Sequence, residues 1–593
     1  MKLKNKLSIL ASSIVPLVSI SFLSCTNNKI EKEPNKDEDK LNETKVEGLD
    51  DNNGSSDEES DQKLDEKNNN VDSTDKKVSK DDNDNQTNIS DDEKDKVNDS
   101  SSSVEPSLPP TFSPNFNFGN QDYKEQNSYP EYINKFTKID AKDIYQEIYD
   151  RSFMLGYSFR DEDELDITID AGTAWLLDYY KYKEGNKYKL FFASNLHVLR
   201  YFSNAMDEKY LEKYNYKDYS GKKLLSVFLG KSNQPVNFDN IPNKSWVRHV
   251  KDNGGPAHRF DSSFFDNPKL VFAAFDFMDD KSYEPFNDDI RKIYSEYKEE
   301  NDPDREKFIS FQSKLKNPDF LPFYKDFAVF EITFDFDKQV APEKQEEFNK
   351  IKDQIQKAVS SLDHAIERSK KSILPNVKKQ GNYLIDYDYY SAAKILETQK
   401  NDNLLGNAKE IYIGGYPSDN GESYWMKNIP TERYNDSVTY FKSPKNKDAF
   451  VYSTNDIQNP SNHLRIYTTV WNRVFVEQYG PNFTTKFSSL YHGASGSLAL
   501  NDFGQIVGIY STVSERAQFG DLLKISGITP LLQTNDIKID DKVFYAHNLL
   551  DKTNFEHQKT SYRSNLEELY PNGFENDNNL KTALFPNLKT STK

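Results

Sequence analysis

The chain has 593 residues, too many for one ordinary domain of ~100–200 residues. Hydrophobic residues make up 35%, and only 23 Gly and 25 Pro exclude collagen-like and Pro/Gly-rich classes, while 39 Phe, 36 Tyr and 4 Trp require a large buried core somewhere. A net charge of −19 with no basic cluster in the body argues against nucleic-acid binding, and a single cysteine, Cys25, excludes a disulfide framework, a Cys-ligated zinc site and a CxxC redox motif.

Residues 1–25 read as a secretory signal. Lys2, Lys4 and Lys6 form a positive end, followed by an apolar run over 7–23 that is marginal for a membrane span and broken by Pro16. The run ends in Phe22-Leu23-Ser24-Cys25, which resembles a bacterial lipobox with Phe22 where leucine is usual. The resemblance implies that Cys25 is acylated and becomes the first mature residue, and two acyl chains suffice for stable anchoring. The other reading is an uncleaved apolar anchor. Both put the rest of the chain outside the membrane.

Residues 26–110 contain no Phe, Tyr or Trp, and carry 26 acidic residues against 12 lysines. Such a segment cannot bury enough apolar surface to order itself, so it predicts a disordered, self-repelling acidic linker. It contains no loop of DxDxDG calcium-binding spacing. Pro106, Pro109 and Pro110 close it, and aromatic residues begin at Phe112.

From about residue 145 the pattern turns to short β-like runs at 172–180, 188–194, 270–278 and 327–336. A second set follows at 410–414, 438–441, 463–470, 497–500 and 505–511. Regularly punctuated short strands predict a mainly β chain, a barrel or sandwich in two halves, rather than βαβ units. Between the sets, Ile351, Ile355, Ala358, Val359, Leu362 and Ile366 keep one face at helical spacing, predicting a helix over about 343–373 that Pro375 stops. The polar stretch 282–318 reads as an inserted helical excursion. The domains expected are a first β half over 111–340, a helical connection over 341–400, a second β half over 401–527 and an extension over 528–593 that either covers the second half or docks a partner.

Few routes to chemistry remain, because neither HExxH nor GxxxxGK[ST] occurs and no cofactor motif is present. Three segments stand out in chain order. Phe191-Phe192-Ala193-Ser194-Asn195-Leu196-His197-Val198 ends an apolar run in a histidine that the strand can aim into a cleft. Lys325-Asp326-Phe327-Ala328-Val329 places a carboxylate at a strand entry, where it can orient an imidazole; Asp276 in the run Phe275-Asp276-Phe277 is the rival. Gly493-Ala494-Ser495-Gly496-Ser497 flanks a serine with glycines, so a tight turn can point amides toward one spot beside an exposed hydroxyl.

The order His, Asp, Ser is that of chymotrypsin-like proteases. These blocks, with the strand return Gly508-Ile509-Tyr510-Ser511 and the strand end Ile413-Gly414-Gly415-Tyr416-Pro417, resemble the signature blocks of trypsin-like serine proteases. The lipobox, the acidic stalk, the entry at 148–153 (IYDRSF) and the ending at 581–585 (KTALF) are similar to the mycoplasma surface-lipoprotein peptidase family. That family includes immunoglobulin-cleaving serine proteases that work with a separate antibody-capturing lipoprotein. The resemblance implies a two-barrel chymotrypsin-like fold with helical insertions and no cofactor or metal. It gives Ser495 as nucleophile, His197 as base and Asp326 as orienting acid, with the Gly493 and Ser495 amides as oxyanion hole. Ser489, Ile509, Tyr510 and Ser511 are candidate walls of the substrate pocket. Ala494 departs from the aspartate that pairs with a newly cut N-terminus in trypsin-like zymogens, so activation by clipping is not expected. The competing expectation is a catalytically inactive binding or adhesion lipoprotein on the same fold.

Overall fold

The structure is a computed structural model, and it describes residues 139–161, 167–202, 206–232, 256–286, 288, 323–371, 386, 388, 411–419, 421–428, 451–454, 470–471, 478–480, 482–488, 490–501, 503–513, 524–539 and 542–590. The signal, Cys25, the acidic linker and the strands expected at 438–441 and over most of 463–470 lie outside these residues, as does nearly all of the excursion expected at 282–318.

Helix α1 (Ala141–Arg151) opens the described chain. Asp140 caps it by accepting from the Lys142 amide, and Ile144, Tyr145 and Ile148 form its buried face. Seven strands then build the first sheet: β1 (Ser152–Asp161), β2 (Thr168–Lys181), β3 (Lys187–Ser194), β4 (Lys222–Ser232), β5 (Ala257–Arg259), β6 (Lys269–Phe275) and β7 (Tyr324–Asp335). Short helices α2 (Glu208–Lys213) and α3 (Asp280–Tyr283) interrupt them. The strand order is β5-β4-β1-β2-β3-β7-β6, and every pairing is antiparallel. β2, β3 and β7 are central and covered on both faces, so they read as nearly continuous apolar runs. Phe192 stacks on Phe330 at 5.6 Å and meets Phe153 edge-on at 5.5 Å in the middle of this core.

Helix α4 (Gln345–Lys371) is the helix expected between the halves. Its Ile351, Ile355, Ala358, Leu362 and Ile366 are buried, and Arg368 reaches Glu147 of α1 at 2.8 Å. The second sheet follows: β8 (Ile411–Gly415), a small ribbon of β9 (Ser418–Asp419) and β10 (Glu422–Ser423), then β11 (Met426–Lys427), β12 (Val451–Thr454), β13 (Asn482–Ser488), β14 (Leu498–Asn501), β15 (Ile506–Val513) and β16 (Lys524–Pro530). Its order is β11-β8-β14-β15-β16-β13-β12, again antiparallel throughout. The chain is therefore mainly β, with helices as insertions and connections.

The extension divides between the halves: residues 528–530 complete β16 of the second sheet and the Tyr545 amide donates to the Tyr479 hydroxyl at 2.8 Å, while the rest turns to the first sheet. Helix α5 (Tyr562–Leu569) packs on β6 of the first sheet, where Asn565 donates to the Val271 carbonyl at 3.0 Å. The Ala583 amide donates to the Tyr179 carbonyl at 2.9 Å, and the Leu584 amide donates to Asp178 at 3.0 Å. Polar groups on β2 and β6 that the sheet leaves unused find their partners in the tail. The KTALF ending and Tyr562 thus cover the first sheet, not the second.

Candidate active site

His197 sits in the turn that follows β3. Two neighbours fix that turn: Ser194 Oγ donates to the Thr173 carbonyl at 2.7 Å, and Asn195 Nδ2 donates to the Asp326 carbonyl at 2.6 Å. Asp326 lies inside β7, two residues after its start, rather than ahead of the strand as the sequence suggested. Its Oδ2 is 2.7 Å from His197 Nδ1 and its Oδ1 accepts the His197 amide at 3.0 Å. Both residues are buried. A carboxylate only accepts, so a neutral ring in this pair carries its proton on Nδ1 and a lone pair on Nε2.

Asp326 is also tied to the second half of the chain. Its amide donates to Gln478 Oε1 at 3.2 Å, and the same oxygen accepts from Thr529 Oγ1 of β16 at 3.0 Å. The rival acid, Asp276, is elsewhere: it adopts φ 49° and forms an ion pair with Lys559 at 2.8 Å.

Ser495 stands on a tight turn between residues 490 and 498, half-buried, three residues ahead of β14. Gly493 (φ 86°) and Gly496 (φ 93°) take left-handed backbone that other residues adopt at a cost. A Cβ on Gly496 would lie 1.9 Å from the Thr173 carbonyl oxygen, and one on Gly493 would lie 2.8 Å from the Ser418 amide, so close approach demands glycine as well.

The hydrogen bonds of this turn alternate. The His492 carbonyl accepts from the Ser418 amide at 2.8 Å, and the Ala494 carbonyl accepts from the Ser497 amide at 2.9 Å and from Ser497 Oγ at 2.5 Å. The Gly493 carbonyl accepts from Thr173 Oγ1 at 3.3 Å, and the Ser495 carbonyl accepts from the Thr173 amide at 2.8 Å. The amides of Ala494 and Gly496 donate to Tyr491 and Tyr510 carbonyls, at 3.0 and 2.9 Å. Those of Gly493 and Ser495 donate to no acceptor among the described residues. Two unengaged amides with one residue between them on a tight turn can bind an anionic oxygen.

Thr173 of β2 is the junction that brings the two regions together. It bonds the serine turn through its amide and hydroxyl, accepts from the Tyr416 amide at 2.9 Å, and its carbonyl holds Ser194, three residues before His197. Val198 and the Ser495 carbonyl both flank Gly172, within 2.6 and 3.2 Å of where its Cβ would stand. No hydrogen bond joins the Ser495 hydroxyl to the His197 ring among the described residues.

Of the pocket candidates, Ile509, Tyr510 and Ser511 lie on β15 beside the serine turn, with the Tyr510 amide on the Ser497 carbonyl at 2.9 Å. Ser526 Oγ donates to the Tyr510 hydroxyl at 3.3 Å, and Ser511 Oγ donates to the Gly527 carbonyl at 3.3 Å. Ser489 lies outside the described residues. Sequence reasoning missed Thr173, Asn195, Ser418, Gln478 and Ser497. Their signal was adjacency to the quoted blocks, which singles out no hydroxyl or amide in advance.

Among the described residues no helix is long and apolar enough to cross a membrane. The profile of the family described as Mycoplasma immunoglobulin protease matches residues 142–512, more than half of the chain. A Mycoplasma capricolum protein described as an uncharacterized lipoprotein is 38% identical over 78% of this chain and 73% of its own length. Two Mycoplasma pneumoniae proteins with the same description are 22% and 24% identical, over 71% and 67% of this chain and 79% and 85% of theirs.

Proposed function

We propose a function from one premise: the chain belongs to the Mycoplasma immunoglobulin protease family. It is a serine endopeptidase on a two-barrel trypsin-like fold, held at the outer face of the cell membrane by lipid on Cys25. Its substrate is host protein, and the family description points to immunoglobulin, whose heavy chain we take as the target. The lipoprotein description of its relatives supports the anchor.

One observation carries the reading: a buried carboxylate grips a histidine by ring and backbone, and Thr173 ties that histidine's turn to a serine turn with two unengaged amides. In the reaction, Ser495 Oγ attacks the scissile carbonyl while His197 Nε2 takes its proton. The Gly493 and Ser495 amides stabilise the oxyanion, and Asp326 stabilises the imidazolium. His197 then protonates the leaving amine as the C–N bond breaks, leaving an acyl-enzyme. Water, deprotonated by His197, attacks the ester and regenerates Ser495. Ile509, Tyr510 and Ser511 wall the side-chain pocket, and an antibody-capturing lipoprotein presents the substrate.

The alternative, a binding lipoprotein without activity, is favoured by the missing Ser495–His197 hydrogen bond. Catalytic hydrogen bonds often tighten only once substrate is bound, so this observation weighs less. The test is to incubate the full chain with intact immunoglobulin, with and without a capture partner, and to map new N-termini by mass spectrometry. A single new heavy-chain terminus that disappears with Ser495→Ala supports the proposal. An uncut antibody, or cutting that survives Ser495→Ala, overturns it.

A further inference from the structure

In a trans peptide the carbonyl of one residue points opposite to the amide of the next. Fixing the His492 carbonyl therefore aims the Gly493 amide, and fixing the Ala494 carbonyl aims the Ser495 amide. The described turn is pinned in that way. Its second and fourth peptide planes, 493–494 and 495–496, are held at both ends, by Thr173 on the carbonyl side and by Tyr491 and Tyr510 on the amide side. The planes 492–493 and 494–495 are held at the carbonyl end alone, which leaves their amides open.

From this alternation we infer that Ser497 is a positioning residue for the oxyanion-binding amides, an inference that rests on the serine-protease reading above. The Ala494 carbonyl receives two donors from one residue, the Ser497 amide at 2.9 Å and the Ser497 hydroxyl at 2.5 Å. A paired grip restrains rotation of the plane about the chain, which a single hydrogen bond restrains less. The side chain is fully buried, and its place is reserved: a Cβ on Gly415 would stand 1.8 Å from Ser497 Oγ. Gly415 of β8 is thus empty space for this hydroxyl. Ala494 itself is buried and apolar, so its own side chain supplies no polar anchor. Neutral hydroxyl and amide groups from Ser497, Thr173 and Ser418 hold the turn at its carbonyls.

The experiment compares the full chain with Ser497→Ala and Ser497→Cys, whose thiol is a weaker donor. The rate of fluorophosphonate labelling at Ser495 is measured against pH, beside a thermal melt. Removing an oxyanion donor outright costs ~10²–10³ in rate, so misaiming one predicts a loss of about 10–10²-fold in Ser497→Ala. Ser497→Cys falls between Ala and wild type, and the pH midpoint of labelling is unchanged because His197 and Asp326 are untouched. Wild-type rates in folded Ser497→Ala overturn the inference while leaving the protease reading intact, and so does a shifted pH midpoint. Should Ser497→Ala fail to melt cooperatively, wild-type rates in Ser497→Cys overturn it instead. Absence of labelling in the wild-type chain overturns the protease reading, and this inference with it.

Discussion

Asp326 grips His197 with both carboxylate oxygens, Oδ2 on the ring Nδ1 at 2.7 Å and Oδ1 on the main-chain amide at 3.0 Å. The two residues are 129 positions apart, and β3 and β7 bring them together as paired neighbours in the first sheet. An amide in place of the carboxylate would present a donor to one of these two N–H groups and favour the wrong ring tautomer. Asp326→Asn should therefore lower the labelling rate of Ser495 by on the order of 10³–10⁴. Asp276→Asn breaks the Lys559 pair, which touches neither His197 nor Asp326, and should leave that rate within about two-fold. The reverse ranking would return Asp276 as the acid.

Gly496 serves the turn by conformation and by close approach together. Gly496→Ala should destabilise the chain by about 2–4 kcal/mol in chemical denaturation, adding steric displacement of the Thr173 carbonyl to left-handed strain. Gly221 has φ 71° but open space around it, so Gly221→Ala should cost only about 1 kcal/mol. Equal costs would mean that the contact with Thr173 carries no weight.

These elements differ in how far the sequence announced them. β3 and β7 were legible as short, nearly continuous apolar runs, and α4 because its apolar residues repeat at helical spacing. β1 and β4 escaped because Gly156 and Ser158 break the first run and Lys222, Lys223, Ser226 and Gly230 break the second, and the sheet overrides that weak local preference. His197, Asp326 and Ser495 drew attention as residue types in ordered blocks. Thr173 did not, because its partners Gly493 and Ser495 stand over 300 residues away and nothing in a Gly-Thr-Ala-Trp run marks the hydroxyl for them. The same holds for Asp178, whose partner Leu584 is 406 residues on.

Asp178 gives a pH prediction. Burial pushes its carboxyl up to about 7, against hydrogen bonds from the Thr582 side chain, the Leu584 and Tyr179 amides and the Tyr562 hydroxyl that lower it. Between about pH 4 and 7 the folded chain keeps a proton that the unfolded chain has lost, so this group's contribution to stability falls as pH rises through that window. The stability of wild type relative to Asp178→Asn should therefore decline by a few kcal/mol from pH 4 to 7 and stay level above it. Denaturant titrations of both proteins at several pH values check this. A difference that is flat or rises across the window contradicts it.

The proposed acylation at Cys25 predicts a change of compartment. The full chain expressed in a mycoplasma should partition into the detergent phase of a cloud-point extraction, and Cys25→Ser should move it to the aqueous phase or leave an uncleaved precursor. Detergent partitioning of mature Cys25→Ser would place the anchor elsewhere.

The central claim is that Ser495 is an activated nucleophile. The most direct measurement is to expose the full chain to a fluorophosphonate and identify the modified serine by peptide mapping. The account predicts one adduct, on Ser495, absent in Ser495→Ala and in His197→Ala. An unmodified chain, or an adduct that persists in His197→Ala at the wild-type rate, would contradict it.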